Sequence, residues 1–297
     1  MDVKHNHHFV PQGYLRGFTI GNQKSLLWEY DKHKGTISKC PKSVRSVCCI
    51  RDHNLIVAKG GTMNNNGVED ALDTHVESPA LGIIRSLATH HDQERIHLTL
   101  ENIKHLSMFI ALLLTRGPSF RNGIEDMMQK CLNRLLDMIV REMKEKGELS
   151  PEENFISEVK HGASVDAMIW AADIGAQDLL AKKWMLLLPH SGTTFVTSDC
   201  PAVMGYSGPV GAFIGPFHPL SEIIVPLRKD LALACEPEQH DRSGMIDIFR
   251  LDKAYTERFN TRIVRAANRY VYASERSPDV LKLVQEAKGA GQRCETT

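Results

Sequence analysis

The period of the hydrophobic pattern changes twice along this chain, and that double change restricts its possible folds more than any other feature. In residues 1–62 the apolar residues come in short runs. Ser25-Leu-Leu-Trp-Glu-Tyr30 and Asn54-Leu-Ile-Val-Ala58 read as strands, with Asp31–Gly35 a turn and Gly60-Gly61 closing the second run. Across 63–181 the spacing lengthens to three and four residues, which is the helical period. From Lys182 to 289 strand-like runs return, with helices near the end, and residues 290–297 read as a frayed tail. Strand-rich segments at both ends with helices between give an α+β architecture. The expected fold is therefore a single α+β domain. Its N- and C-terminal strand segments share a mostly antiparallel sheet, and its middle region is helical.

Local signals sharpen the outline. Val68, Leu72, Val76, Leu81, Ile84 and Leu87 follow helical spacing, with Pro79 predicted to kink or divide the segment. Thr99 caps a helix whose stripe is Ile103, Leu106, Phe109, Ile110, Leu113 and Leu114, and Gly117-Pro118 ends it. The next helix carries Met127, Met128, Cys131, Leu135, Met138 and Ile139, whose methionines read as core filler. Ser150-Pro151 begins another helical stretch to about Leu180, with interruptions expected at Gly162 and Gly175. Trp184–Leu188 with Thr194–Thr197 is predicted to form one hairpin, and Glu222–Val225 with Leu231–Cys235 a second. The loop Pro201–Pro219 between them suits a lid. A helix from Asp252 is expected to bury Tyr255, Phe259, Ile263, Val264 and Ala267, followed by the strand Tyr270–Ala273 and a helix at Pro278–Ala287.

Composition matters where it excludes function classes. The 36 Lys+Arg balance 36 Asp+Glu, so the whole molecule exerts no field that would draw in nucleic acid or an anionic membrane, and any basic surface is local. The longest apolar run, Met108–Leu114, is about a third of the ~20 residues a membrane span needs, and the first twenty residues lack the apolar stretch of a signal peptide. Seven cysteines with no Cys-x-x-Cys point to free thiols in a reducing, cytoplasmic setting. Histidine is in surplus at 14, bunched at His5, His7 and His8 and at His90-His91, the latter pair reading as solvated surface.

The candidate chemistry rests on few residues. In a strand His5 and His7 point one way and His8 the other, so the pair can share an ion or His7 and His8 can take different roles. The following Phe9, Val10, Leu15 and Phe18 pin the segment to a core, although a short His tract can also be plain solvated surface. Glu69, Asp73 and Glu77 form an acidic row at spacings of four, with Glu69 and Glu77 about 80° apart on a regular helix. Either a divalent cation offsets their repulsion, or the row is a solvated face. Asp199 either closes a turn by accepting backbone N–H groups or projects into a cleft from a strand end. Arg116 suits a helix C-terminus, and with Arg121 it can reach a phosphate or carboxylate.

The run His7-His8-Phe-Val-Pro-Gln-Gly-Tyr-Leu-Arg-Gly-Phe18 resembles the opening signature of the family catalogued as domain of unknown function 4238. Glu69 with Glu77, Arg116-Gly-Pro118, Thr197-Ser-Asp199-Cys-Pro201, Val225-Pro-Leu227, Asn260 and Arg269-Tyr-Val-Tyr272 match in the family's order. Gly13 stands where an aromatic residue is expected, and Cys200 where Asn is common. The resemblance implies positions but no activity.

Combined, these positions predict a site with His8, Glu77 and Asp199 as catalytic groups. His7, Glu69, Glu77 and Asp199 would ligate a divalent metal (Mn, Mg or Zn), and Arg16, Arg116 and Arg121 would bind substrate. The function expected is a metal-dependent hydrolase, a nuclease or other phosphoesterase, with nucleic acid or a nucleotide held by the local arginines and no membrane partner. The alternative is a non-enzymatic ligand- or protein-binding module using the same cluster. No nucleophile elbow, Walker loop, Rossmann glycine pattern or His-Glu-x-x-His is present, and Glu142-Met-Lys144 and Glu286-Ala-Lys288 read as solvated charge at helix ends.

Overall fold

The computed structural model describes residues 5–21, 23, 25–54, 56–57, 63–64, 67–148, 150, 161–206, 218, 220–239, 244–289 and 295–296. It is a mixed α+β fold in which Leu26–Asp31 pairs antiparallel with Tyr270–Ala273, Tyr30 opposite Val271. The N- and C-terminal strand segments thus share a sheet, as expected. That sheet runs in the order Thr197–Ser198, Tyr270–Ala273, Leu26–Asp31, Thr36–Ile37, with Lys42–Ser43 also on Leu26–Asp31. A second sheet runs Glu295–Thr296, Val203–Tyr206, Ser221–Arg228, Leu231–Gln239, Lys182–Leu188, Met245–Arg250, Arg95–His97. Its pairings are antiparallel except Met245–Arg250 with Lys182–Leu188 and Val203–Tyr206 with Glu295–Thr296.

Eight helices are described: α1 (Gln12–Leu15), α2 (Gly67–Leu72), α3 (Ser78–Leu87), α4 (Leu100–Thr115), α5 (Pro118–Glu145), α6 (His161–Ala181), α7 (Lys253–Ala266) and α8 (Pro278–Glu286). In α4 the Oγ1 of Thr99 accepts the Asn102 N–H at 3.2 Å, and Leu106, Phe109, Ile110 and Leu113 are buried against the sheet-bearing core and α6. Pro118 sits in the first turn of α5, where its missing N–H costs nothing. Asp252 and Ser277 cap α7 and α8 through the N–H groups of Tyr255 and Val280.

Four local expectations are corrected. Trp184–Leu188 and Thr194–Thr197 do not form a hairpin: the first strand lies between Leu231–Gln239 and Met245–Arg250, while Thr197–Ser198 pairs with Val271–Tyr272 in the other sheet. The loop Pro201–Pro219 is in part a strand, Val203–Tyr206, and its glycines Gly208, Gly211 and Gly215 lie outside the described residues. Gly175 does not interrupt α6, where it is buried, and the expected start at Ser150-Pro151 runs into residues outside the description. The apolar stripe of α5 is not core: Arg121 is its only buried residue, and Tyr255 of α7 is exposed as well. Periodicity reports that a helix has an apolar face without reporting what covers it.

Candidate functional site

The N-terminal motif acts first as an anchor. Tyr14 donates its hydroxyl to the Pro226 carbonyl and lies 2.9 Å from Thr197 Oγ1, and Leu15 and Phe18 are fully buried. Gly17 sits in a close approach, since a Cβ there would stand 3.3 Å from the Leu227 carbonyl oxygen and the Arg228 Cα and would press the two backbones apart by a few tenths of an ångström. That approach, with the Lys229 N–H donating to Gly17 O at 3.1 Å, presents Arg228 and Lys229 beside Arg16. Gly13 packs onto α3, where a Cβ would run into Leu81, so an aromatic residue would force that leucine aside.

The strand Asn6–His8 pairs antiparallel with Cys49–Arg51 and separates the histidines by alternation. His7 turns inward, fully buried, and its Nδ1 accepts the Asn54 N–H at 2.8 Å. His8 lines a cavity of about 810 Å³ together with Arg16, Glu69, Asp73, Glu77 and Arg116. Its Nδ1 is 3.5 Å from Gln12 Nε2, and its buried Nε2 has no hydrogen-bond partner among the described residues. Burial lowers the His8 pKa, Glu69 raises it and Arg116 lowers it, for a net fall below the ordinary value. Burial thus favours the neutral imidazole over the imidazolium, against the backbone hydrogen bonds at Val44 and Arg45.

The acids of the cavity stand on α2 and on the π-helical turn Asp73–Glu77 that joins it to α3. The Ser78 N–H donates to Asp73 O, five residues back, in place of the α-helical four. Each π step advances less around the axis than an α step, so Glu77 swings back toward Glu69 from the roughly 80° offset of a regular helix. Both then reach one guanidinium: Arg116 Nη1 donates to Glu77 Oε1 and Nη2 to Glu69 Oε1, each at 2.6 Å. Arg116 is 2% exposed and ends α4, its carbonyl 3.2 Å from His53 Nε2. Burial works against its charge, but Glu69 and Glu77 more than hold it cationic. Burial pushes the Glu77 carboxyl up, Arg116 pulls it back, and Glu69 and Asp73 push it up again, leaving it above the usual carboxylate range.

Behind this floor sits a second arginine. Arg121 Nη1 donates to the His53 carbonyl and, at 3.0 Å, to Asn54 Oδ1, while Nη2 reaches Ser164 Oγ at 2.9 Å. Asn54 in turn donates its side-chain amide to Glu69. Arg121 therefore holds the scaffold that orients Glu69 and does not line the cavity. Burial lowers its pKa to about 10, leaving it charged at neutral pH.

Asp199 belongs to a different place. Its carboxylate accepts the N–H groups of Asn268 at 2.8 Å, Arg269 at 2.8 Å and Tyr270 at 2.9 Å, and it is 6% exposed. Burial pushes its pKa up and those three amides pull it back. It ties the end of Thr197–Ser198 to the start of Tyr270–Ala273, with Ser198 Oγ accepting the Cys200 N–H at 3.1 Å. The turn-closing role is the one the geometry fills.

The structure thus brings His8, Arg16, Glu69, Glu77 and Arg116 to one cavity and leaves His7, Arg121 and Asp199 outside it. Among the described residues no group of three or more His, Cys, Asp or Glu side chains is placed to hold a metal ion. The expected set does not fit one: Arg116 already occupies the space between the glutamates, and Asp199 and His7 accept backbone N–H groups elsewhere. Three cations went unrecognised in the sequence. Arg85 continues the spacing-of-four row from Glu77 through Leu81, a detectable signal, whereas Arg228 and Lys229 follow a strand with no local cue. Arg228 pairs with Asp230 at 2.9 Å, while Arg16, Arg85 and Lys229 form no ion pair among the described residues.

A family model described as protein of unknown function (DUF4238) matches residues 6–277. The chain belongs to that family. No match was found among curated proteins or among solved structures.

Proposed function

We propose that this family member binds a small phosphate-bearing ligand of the nucleotide class in the cavity that His8, Glu77 and Arg116 floor. The reading is carried by the layering of charge. Among the described residues Arg16, Arg85 and Lys229 line the cavity without ion-pair partners, above a floor whose cation, Arg116, is engaged by Glu69 and Glu77. Unpaired guanidinium groups favour phosphate. The floor carboxylates each give one oxygen to Arg116, and they repel phosphate but accept hydrogen bonds from hydroxyl or amino groups. A ligand with phosphate at one end and a sugar or base at the other satisfies both layers. The neutral balance of the whole chain supplies no steering, so selection is local.

Calorimetric titration of the purified protein with inorganic phosphate, AMP, ADP and ATP tests the reading. A nucleotide is expected to bind more tightly than phosphate alone, and Arg16→Ala and Arg85→Ala each to weaken it about tenfold while the unfolding midpoint stays put. Absence of binding by all four compounds refutes it.

A second reading, hydrolysis of a phosphoester, is favoured by His8. An imidazole whose neutral form burial favours, lining one cavity with a carboxyl of raised pKa, supplies a base and an acid at one site. Divalent metal, if the reaction uses it, would arrive with the substrate phosphates. Product release from nucleotides and from DNA or RNA with added Mn, Mg or Zn, alongside the metal content of the isolated protein, separates hydrolase from binding module. In a hydrolase His8→Gln removes turnover and keeps ligand affinity.

A further inference from the structure

Helix α5 spans 28 residues and buries only Arg121. Its outer face is apolar: Leu135 is 56% exposed, Met138 67% and Ile139 53%. Cys131, Leu135 and Met138 recur at the four-three spacing of a helix–helix seam. Helix α6, which packs beside α5, presents its own apolar face, led by Trp170 at 70% exposed with Ile174 one turn on. A tryptophan so placed is the residue type most enriched at the energetic centres of interfaces.

The flanking charges indicate what covers these faces. Arg134 and Arg141 border the α5 seam, while Asp166 and Asp173 border the α6 face. Each pair is seven residues apart, about 10.5 Å along its helix, so the two rows match in length. None of the four forms an ion pair among the described residues of its own chain. A second α5 against the first would bring its arginines into the same interface, whereas α6 offers carboxylates at the matching interval.

We propose that two copies of this chain associate through these faces, each α5 lying antiparallel on the α6 of the other. The two-fold arrangement uses every contact twice, Arg134 with Asp173 and Arg141 with Asp166 across the interface. Because α5 and α6 of one chain already touch, the four helices form one bundle.

Sedimentation equilibrium of the full chain from about 1 to about 100 μM tests this. The expected mass is twice the 33.3 kDa of one chain. Arg134→Glu with Arg141→Glu should weaken association at least about tenfold, and adding Asp166→Arg with Asp173→Arg to the same chain should restore it. Trp170→Ala should weaken it with no charge change. All five positions are at the surface, so circular dichroism should show each variant folded. A mass of 33.3 kDa at every concentration overturns the proposal and leaves these faces to another occupant. A dimer indifferent to both the charge reversal and Trp170→Ala overturns the interface.

Discussion

Two groups of acids, the buried Asp199 on one hand and the half-buried Glu69 with Glu77 on the other, carry the same formal charge and have opposite uses. Asp199 places its oxygens on three backbone N–H groups, so its surroundings are fixed by the main chain. Glu69 and Glu77 meet a side chain, Arg116, and border a cavity. A buried carboxylate that holds backbone together is a fold determinant. One balanced against a side-chain cation, with lone pairs to spare, is available for a ligand. The comparison also separates His7 from His8: the first accepts a backbone N–H, the second lines the cavity.

The comparison is tested most severely at Asp199. Asp199→Ala leaves three amides without their acceptor and should cost about 3 to 5 kcal/mol in urea unfolding. Ligand affinity should be unchanged in the fraction that folds, because the residue does not line the cavity. A well-folded variant with lost binding would reverse the assignment of Asp199 to architecture.

Next in size is Arg116→Met, expected to destabilise by about 2 to 3 kcal/mol at neutral pH, because it leaves Glu69 and Glu77 facing each other without a cation. Protonation relieves that repulsion, so the deficit should shrink from about pH 7 to about pH 5, whereas the Asp199→Ala deficit should not. Equal pH dependence in the two variants would erase the distinction.

The smallest effect belongs to His8. Its folded pKa lies below the ordinary 6.5, so as pH falls through 6.5 the unfolded chain takes up the proton first and stability is lost on the acid side. His8→Gln should flatten that part of the stability–pH curve by less than about 1 kcal/mol, and an unchanged slope would place the titration elsewhere.

Much of the fold was legible because it rests on local signals. The Thr99 cap, the helix starts at Asp252 and Pro278, the Gly117-Pro118 boundary and the hairpin Ser221–Arg228 with Leu231–Gln239 lie where short-range chemistry puts them. The pairing of the terminal strand segments was expected from strand-rich stretches lying at both ends of the chain. The false hairpin at Trp184–Thr197 shows the limit: two adjacent strands separated by turn residues look alike whether they pair with each other or join different sheets. At the site, His8 and the two glutamates could be named from alternation and spacing. Their joint use of Arg116 could not, because it depends on the end of α4 meeting a helix some forty residues earlier. Asn54 and His53, which orient Glu69 and Arg116, carried no motif at all.

The π-helical turn amounts to a regular helix that carries one extra residue. Rewinding it as regular helix with the chain length unchanged would restore the roughly 80° offset and carry Glu77 away from Arg116. Deleting an uncharged residue such as Thr74 along with that rewinding would leave the two acids seven apart, within about 20° of one face, and both in reach of the guanidinium. The position of this acid is set by counting as much as by chemistry.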